Sequence, residues 1–118
     1  MFTFVENYEF EWPVTVIYPG LNGPVEKVFT ARFLLVDEDS LFARPDLDGG
    51  DMAAILTHER DTLSTRWVGW SGIQSETGAD VPFTPETRDR LLRQRPIREA
   101  VARAYHDAVI RGAVTEKN

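Results

Sequence analysis

The chain contains no cysteine. Disulfides, thiolate metal sites and thiol-nucleophile catalysis are therefore excluded together, and a reducing cytoplasm is the compartment this composition suits. Histidine is almost as scarce, with only His58 and His106. His58-Glu59 has no second histidine at the i+4 spacing that a zinc-protease helix requires. His106 stands far along the chain beside Asp107, so the pair reads as two separate surface histidines rather than a metal or acid–base couple. Apolar runs are short, none approaching the ~20 residues that cross a bilayer. The first residues lack the basic stretch and apolar core of a signal peptide. There is no phosphate-cradling glycine loop, no serine nucleophile motif, no internal repeat and no strand alternating basic with aromatic residues as a single-strand nucleic-acid platform would. What remains is the expectation of a non-enzymatic, cytoplasmic protein with no catalytic residue, no metal and no cofactor, acting by binding.

A length of 118 residues fits one domain with a modest core. Apolar residues at 42% and charged residues at 27% are ordinary for a globular chain. The net charge of −6 is unevenly spread. Residues 1–51 hold ten acids against Lys27, Arg32 and Arg44, a net of −7, whereas residues 52–118 hold nine acids against ten bases, a net of +1. Within Arg88–Arg111 seven arginines meet three acids. The acidic half would repel nucleic acid and anionic membrane; the arginines read as solvated helix faces, with an acidic partner or the acidic sheet itself as the alternative.

Residues 1–36 carry the strand signal. Tyr8, Phe10, Trp12, Val14, Val16 and Tyr18 alternate with Glu9, Glu11 and Thr15, a period of two in β-formers. Phe2 and Phe4 extend that alternation upstream, and Pro13 places the strand at an edge or a bulge. After the turn-rich Pro19–Pro24, a second strand over about Val25–Val36 turns Val25, Phe29, Ala31, Phe33 and Leu35 to one face, with Lys27 interrupting. The two make an antiparallel hairpin whose aromatic face must be covered by other elements.

Residues 37–50 form an acidic loop, with one helical turn at about Ser40–Ala43. It lacks the alternating aspartates and distal glutamate of a calcium loop. Residues 51–112 form the helical part, with a polar turn around Thr77-Gly78. Asp51 is placed to cap a helix carrying Met52, Ile55, Leu56, Leu63, Trp67 and Val68, with Glu59 at one expected apolar place, and this helix is expected to end within Trp67–Gly72. Trp67 and Trp70, three apart, would then share a helix face. Thr84-Pro85-Glu86 is a helix start, with Phe83 positioned to staple the incoming chain. Leu91 and Leu92 anchor this helix before Pro96. Pro96 opens the best-patterned one: Ile97, Ala100, Val101, Ala104, Tyr105 and Ala108 form a wide apolar stripe, with Gly112 as its stop. Residues 113–118 are a polar, frayed tail. The fold class is α+β: an antiparallel hairpin, or three strands, packed on a bundle of three to four helices.

The order of parts adds a second line of reasoning. Tyr8–Val14, Phe29–Phe33, the acidic middle, Val68-Gly69-Trp70-Ser71-Gly72-Ile73, Gly78, Val81–Glu86 and Ile97…Ala104-Tyr105 follow one another along most of the chain. In this the chain resembles the small tail assembly chaperones of long-tailed bacteriophages and prophages, most clearly over Val68–Tyr105. Arg93, Arg95, Arg98 and Arg103 make its last helices more basic than that pattern. The resemblance implies a protein of the bacterial host cytoplasm that coats the apolar, helical tape-measure protein before the tail tube polymerises around it. The tape-measure protein is the partner implied, with tail-tube subunits and further copies of the chain as other candidates. Trp12, Trp70, Phe83 and Tyr105 are the candidate partner-binding residues, each with a core role as the alternative. A structural phage component, such as a head–tail completion or tail-terminator subunit, is the second reading. A regulator using the arginines and a small histidine enzyme follow it.

Overall fold

The computed structural model describes residues 1–41 and 51–112. Its core is a three-stranded antiparallel sheet in the order of the chain, β1 (Glu9–Tyr18), β2 (Val25–Leu34) and β3 (Trp67–Ser71), with β2 in the centre. Among the described residues four helices accompany it: α1 (Glu38–Leu41), α2 (Met52–Ser64), α3 (Pro85–Leu92) and α4 (Arg95–His106), the last running into a π-helical turn at Asp107–Gly112. The class is α+β, as the alternating strands and the later helical stripes imply. The remainder of the acidic loop, 42–50, and the tail, 113–118, lie outside the described residues.

β1 and β2 pair from Glu9↔Leu34 to Tyr18↔Val25 without interruption. The apolar alternation is what orients them: Val14, Val16, Phe29, Ala31 and Phe33 are buried beneath the helices. The expected upstream extension is not present. β1 begins only at Glu9, because Asn7 adopts a left-handed backbone (φ 57°) that breaks the pleat. Phe2 and Phe4 are consequently exposed rather than laid along β2.

Pro13 occupies the free edge of β1 at a place where its missing donor costs nothing. Leu35 N–H donates to Tyr8 O (2.9 Å), so the even-numbered backbone groups of β1 face β2 and the odd-numbered ones face outward. Pro13 belongs to the outward set. The next outward carbonyl, that of Thr15, accepts from the Arg103 guanidinium of α4 at 3.2 Å. Proline and arginine together blunt this edge against strand addition.

The helix expected to run into Trp67–Gly72 instead ends at Ser64, and Trp67–Ser71 is strand β3. Two local features stop it. Ser64 Oγ donates to Asp61 O and Thr65 Oγ1 to Thr62 O, both at 2.7 Å, satisfying carbonyls of the last turn. Leu34 N–H then donates to Arg66 O at 2.8 Å and draws the chain onto the open side of β2. Trp-Val-Gly-Trp consequently completes a sheet, where its bulky side chains pack on a pleated surface.

Helix starts follow their chemistry. Asp51 Oδ1 accepts from Ala53 N–H (3.1 Å), and Thr84 Oγ1 accepts from Thr87 N–H (3.1 Å) with Pro85 in the first turn of α3. α4 lies against β1, burying Ile97, Ala100, Val101, Ala104 and Tyr105. Its alanines permit that close approach. No described helix is long and apolar enough to cross a membrane.

Candidate partner-binding surface

The four aromatic residues singled out from the sequence fall into three environments. Trp70 and Phe83 come together, their rings edge to face with centroids 4.7 Å apart, and both remain half-buried. Trp12 shares their face of the sheet but stands two strands away, with Ala31 between it and Trp70 in the register. It too is half-buried. Tyr105 is inside the core at 2% exposure, where a partner would not reach it without opening the fold.

Trp67 and Trp70 share one face through a strand irregularity, not a helix. Arg32 faces Gly69 and Phe33 faces Trp67, leaving Val68 as an extra residue in β3. In a regular strand residues three apart point to opposite faces; one inserted residue returns the second to the side of the first. The two indoles pack with centroids 5.2 Å apart. Gly69 relieves crowding at this bulge, since a Cβ there would stand 3.3 Å from Arg32 Cβ.

Trp70 is held in place from its polar end. Its indole N–H donates to Val81 O at 2.7 Å, and Val81 N–H donates to Ile73 O at 2.9 Å. The segment 73–81 thus folds back as a small hairpin turn that carries Phe83 to the Trp70 ring. On the other side of Phe83 the Arg88 guanidinium lies over the ring, 5.9 Å from its centroid. Arg88 is the fourth residue of α3, so the staple expected of Phe83 closes on a cation rather than on an apolar side chain. The result is a partly exposed aromatic pair framed by Arg88 and the Val81 carbonyl.

Tyr105 has a different task. Its hydroxyl donates to Leu34 O (2.8 Å) and accepts from Val36 N–H (3.1 Å), fixing the chain as it leaves β2. The ring meets Phe33 edge to face at 5.2 Å, and the Arg66 guanidinium lies over it at 5.1 Å. Burial pushes the Tyr105 phenol above its ordinary pKa, while the Val36 N–H and Arg66 oppose that rise.

The arginines of the last helices are largely used within the fold. Arg95 pairs with Glu99 at 2.7 Å on the surface of α4, which raises the pKa of the guanidinium and lowers that of the carboxyl. Arg103 caps Thr15 O, and Arg98 reaches Glu59 of α2 at 2.6 Å. That bond explains why a glutamate occupies an apolar place in the α2 pattern. Arg90 and Arg93 form no ion pair among the described residues.

A groove of about 720 Å³ opens at the other end of the sheet. Val16, Phe29, Leu91 and Ile97 line it together with Lys27, Glu76 and Arg90. Lys27, which interrupts the apolar face of β2, lies here. Sequence reasoning missed this groove because its walls come from five separate stretches. His58 Nε2 lies 3.4 Å from Thr62 Oγ1 one turn along α2. Among the described residues no three histidine, aspartate or glutamate side chains gather to hold a metal.

No protein-family model matches the chain, and neither curated proteins nor solved structures yield a match.

Proposed function

We propose that this chain is a non-enzymatic tail assembly chaperone of a long-tailed bacteriophage or prophage, which binds the tape-measure protein and keeps it soluble until the tail tube forms. The observation that carries this reading is the Trp70–Phe83 pair, two large rings fixed by a hydrogen bond and left partly exposed within the stretch where the resemblance is clearest. A rigid aromatic anchor binds an apolar surface at low entropic cost. An amphipathic helix laid against the exposed side of the pair is the mode that fits a helical client. The net charge of −6 keeps a client loaded with many copies apart from its neighbours.

The test is capture of a tape-measure fragment by the wild-type chain and by Trp70→Ala and Phe83→Ala. Reduced capture with an unchanged far-ultraviolet spectrum supports the reading. Loss of the spectrum assigns Trp70 to the core, and undiminished capture removes the pair from the interface.

A structural phage component, such as a head–tail completion or tail-terminator subunit, is the second reading. The edge strand β3 favours it, as such subunits can pair strands between copies. The blunted β1 edge leaves it one route fewer. Presence of the chain in purified particles would support this role over the chaperone.

A further inference from the structure

The ladder between β2 and β3 stops before β2 does. Pairing ends at Thr30↔Ser71, whereas β2 extends back to Val25. Leu34 N–H donates to Arg66 O, so the even-numbered backbone groups of β2 face β3, and those of Val28 and Glu26 belong to that set. In the register of Thr30↔Ser71, the next acceptor for Val28 N–H would be Ile73 O. Gly72, at φ 86°, turns the chain away, and Ile73 O receives Val81 N–H instead at 2.9 Å. The outward N–H and C=O groups of Glu26 and Val28 thus have no ladder partner among the described residues.

A free strand edge is a template for a further strand. On β1 that template is blunted by Pro13 and by Arg103 bonded to Thr15 O. Around Glu26–Val28 there is no proline, and among the described residues no side chain bonds to the open backbone groups. This edge opens into the groove lined by Lys27, Val28 and Phe29 from β2 and by Gly72 to Glu76 from the departing chain.

The chemistry of the groove selects the occupant. Lys27 and Arg90 are exposed, and neither forms an ion pair among the described residues. Two unpaired cations against the single acid Glu76, in a chain of net charge −6, favour an anionic partner. Val16, Phe29 and Ile97 are already buried, so the apolar side of the groove offers a socket for one side chain rather than a broad interface. Lys27 and Phe29 stand two apart on one face of β2, and a strand paired with them presents its own residues at the same spacing.

We propose that this groove receives a short extended peptide of a partner protein, added as a strand to the Glu26–Val28 edge. The peptide carries one large apolar side chain and an acidic side chain two residues from it on the same face. Backbone hydrogen bonds to Glu26 and Val28 hold it, while the socket and the two cations select its sequence. The inference is independent of the Trp70–Phe83 anchor and of the chaperone reading.

The test is titration of the full chain with the blocked peptide Thr-Thr-Leu-Thr-Asp-Thr-Thr, read by amide hydrogen exchange and by fluorescence anisotropy of a labelled copy. Binding is expected to protect the Glu26 and Val28 amides. Lys27→Glu/Arg90→Glu, at two exposed positions, is expected to keep its circular dichroism and to weaken binding by about tenfold or more. The same variant is expected to prefer a peptide with lysine in place of aspartate. No binding to the wild type overturns the proposal, as does binding that leaves the two amides unprotected or a lysine peptide bound equally well. Lys27→Ala separates recognition from simple guarding of the edge: weaker binding supports the proposal, and stronger binding overturns it. Protection of the two amides in the free chain that grows with its concentration would assign the edge to a second copy and overturn it too.

Discussion

Arg98 of α4 donates to Glu59 of α2 at 2.6 Å, with the arginine side chain only 9% exposed and the glutamate half open to solvent. The bond ties together two helices that are distant in the chain, and its cost is asymmetric. Glu59→Ala leaves a buried guanidinium without its acceptor, which destabilises the fold by about 1–3 kcal/mol, the range for an orphaned buried polar group. Arg98→Met replaces the cation with an apolar chain of similar length and is expected to cost less, because swapping a buried charge for a well-packed apolar group is often near neutral. Urea unfolding of the two variants decides the order. A costlier Arg98→Met would mean that packing of the guanidinium, rather than its charge, holds this place.

Trp67 gives a second prediction. It is 0% exposed, and its indole N–H has no hydrogen-bond partner among the described residues. An unpaired buried donor costs about 1–3 kcal/mol, which offsets part of the large benefit of burying the ring. Trp67→Phe removes that donor together with part of the ring, so its net cost is expected to be small, about 1–2 kcal/mol. Trp67→Ala is expected to cost about 3–5 kcal/mol, as for other large aromatics in cores. Thermal or urea unfolding measures both. A Trp67→Phe cost well above about 2 kcal/mol would show that the indole N–H is satisfied, by a water for example.

These indoles also show how far the sequence could be read. The hairpin was legible because its apolar residues fall on every second position, and α4 because Ile97 to Tyr105 keep a helical stripe. Caps were legible for the same local reason: Asp51 and Thr84 act within their own first turns. β3 was not legible. Trp67 and Trp70 stand at a helical spacing, and the extra Val68 that puts them on one face of a strand has meaning only opposite Arg32 and Phe33. Glu59 looked misplaced because its partner is 39 residues away. Of the candidate surface, Trp70 and Phe83 were found together. Tyr105 belongs to the core through bonds to Leu34 and Val36 that no local pattern announces.

Tyr105 supplies a pH dependence. Its pKa is raised in the folded chain by burial, so the folded state holds the phenolic proton more tightly than the unfolded one. The stability this contributes is fully present below the unfolded value, about 10 for tyrosine, and is lost as pH rises through the higher folded value. Tyr105→Phe leaves Leu34 O and Val36 N–H without their partner, so it is less stable than the wild type at neutral pH by about 1–3 kcal/mol. Above pH ~10 the wild type loses the additional stability and the two curves converge. Urea midpoints at neutral and alkaline pH provide the check. A constant gap across that range would contradict the linkage.

The Trp70–Phe83 pair gives the proposed function a quantitative test. If the pair is the anchor of client binding, truncating either ring is expected to weaken capture by about 2 kcal/mol, a loss of roughly thirtyfold, as for interface residues that dominate binding. Trp12→Ala, across Ala31 on the same face, is expected to have a smaller effect. Titration of a labelled tape-measure fragment against each variant ranks the three, and a larger loss at Trp12 would move the anchor to the β1 side of the sheet.

The most direct test of the central claim is co-expression with an apolar, helical tape-measure fragment from the same genome, followed by affinity purification and light scattering. The account predicts that several copies of the chain keep an otherwise insoluble fragment in solution, and that Trp70→Ala/Phe83→Ala, still folded, fails to do so. A fragment that stays insoluble beside the wild-type chain, or is held equally well by the folded double variant, would contradict it.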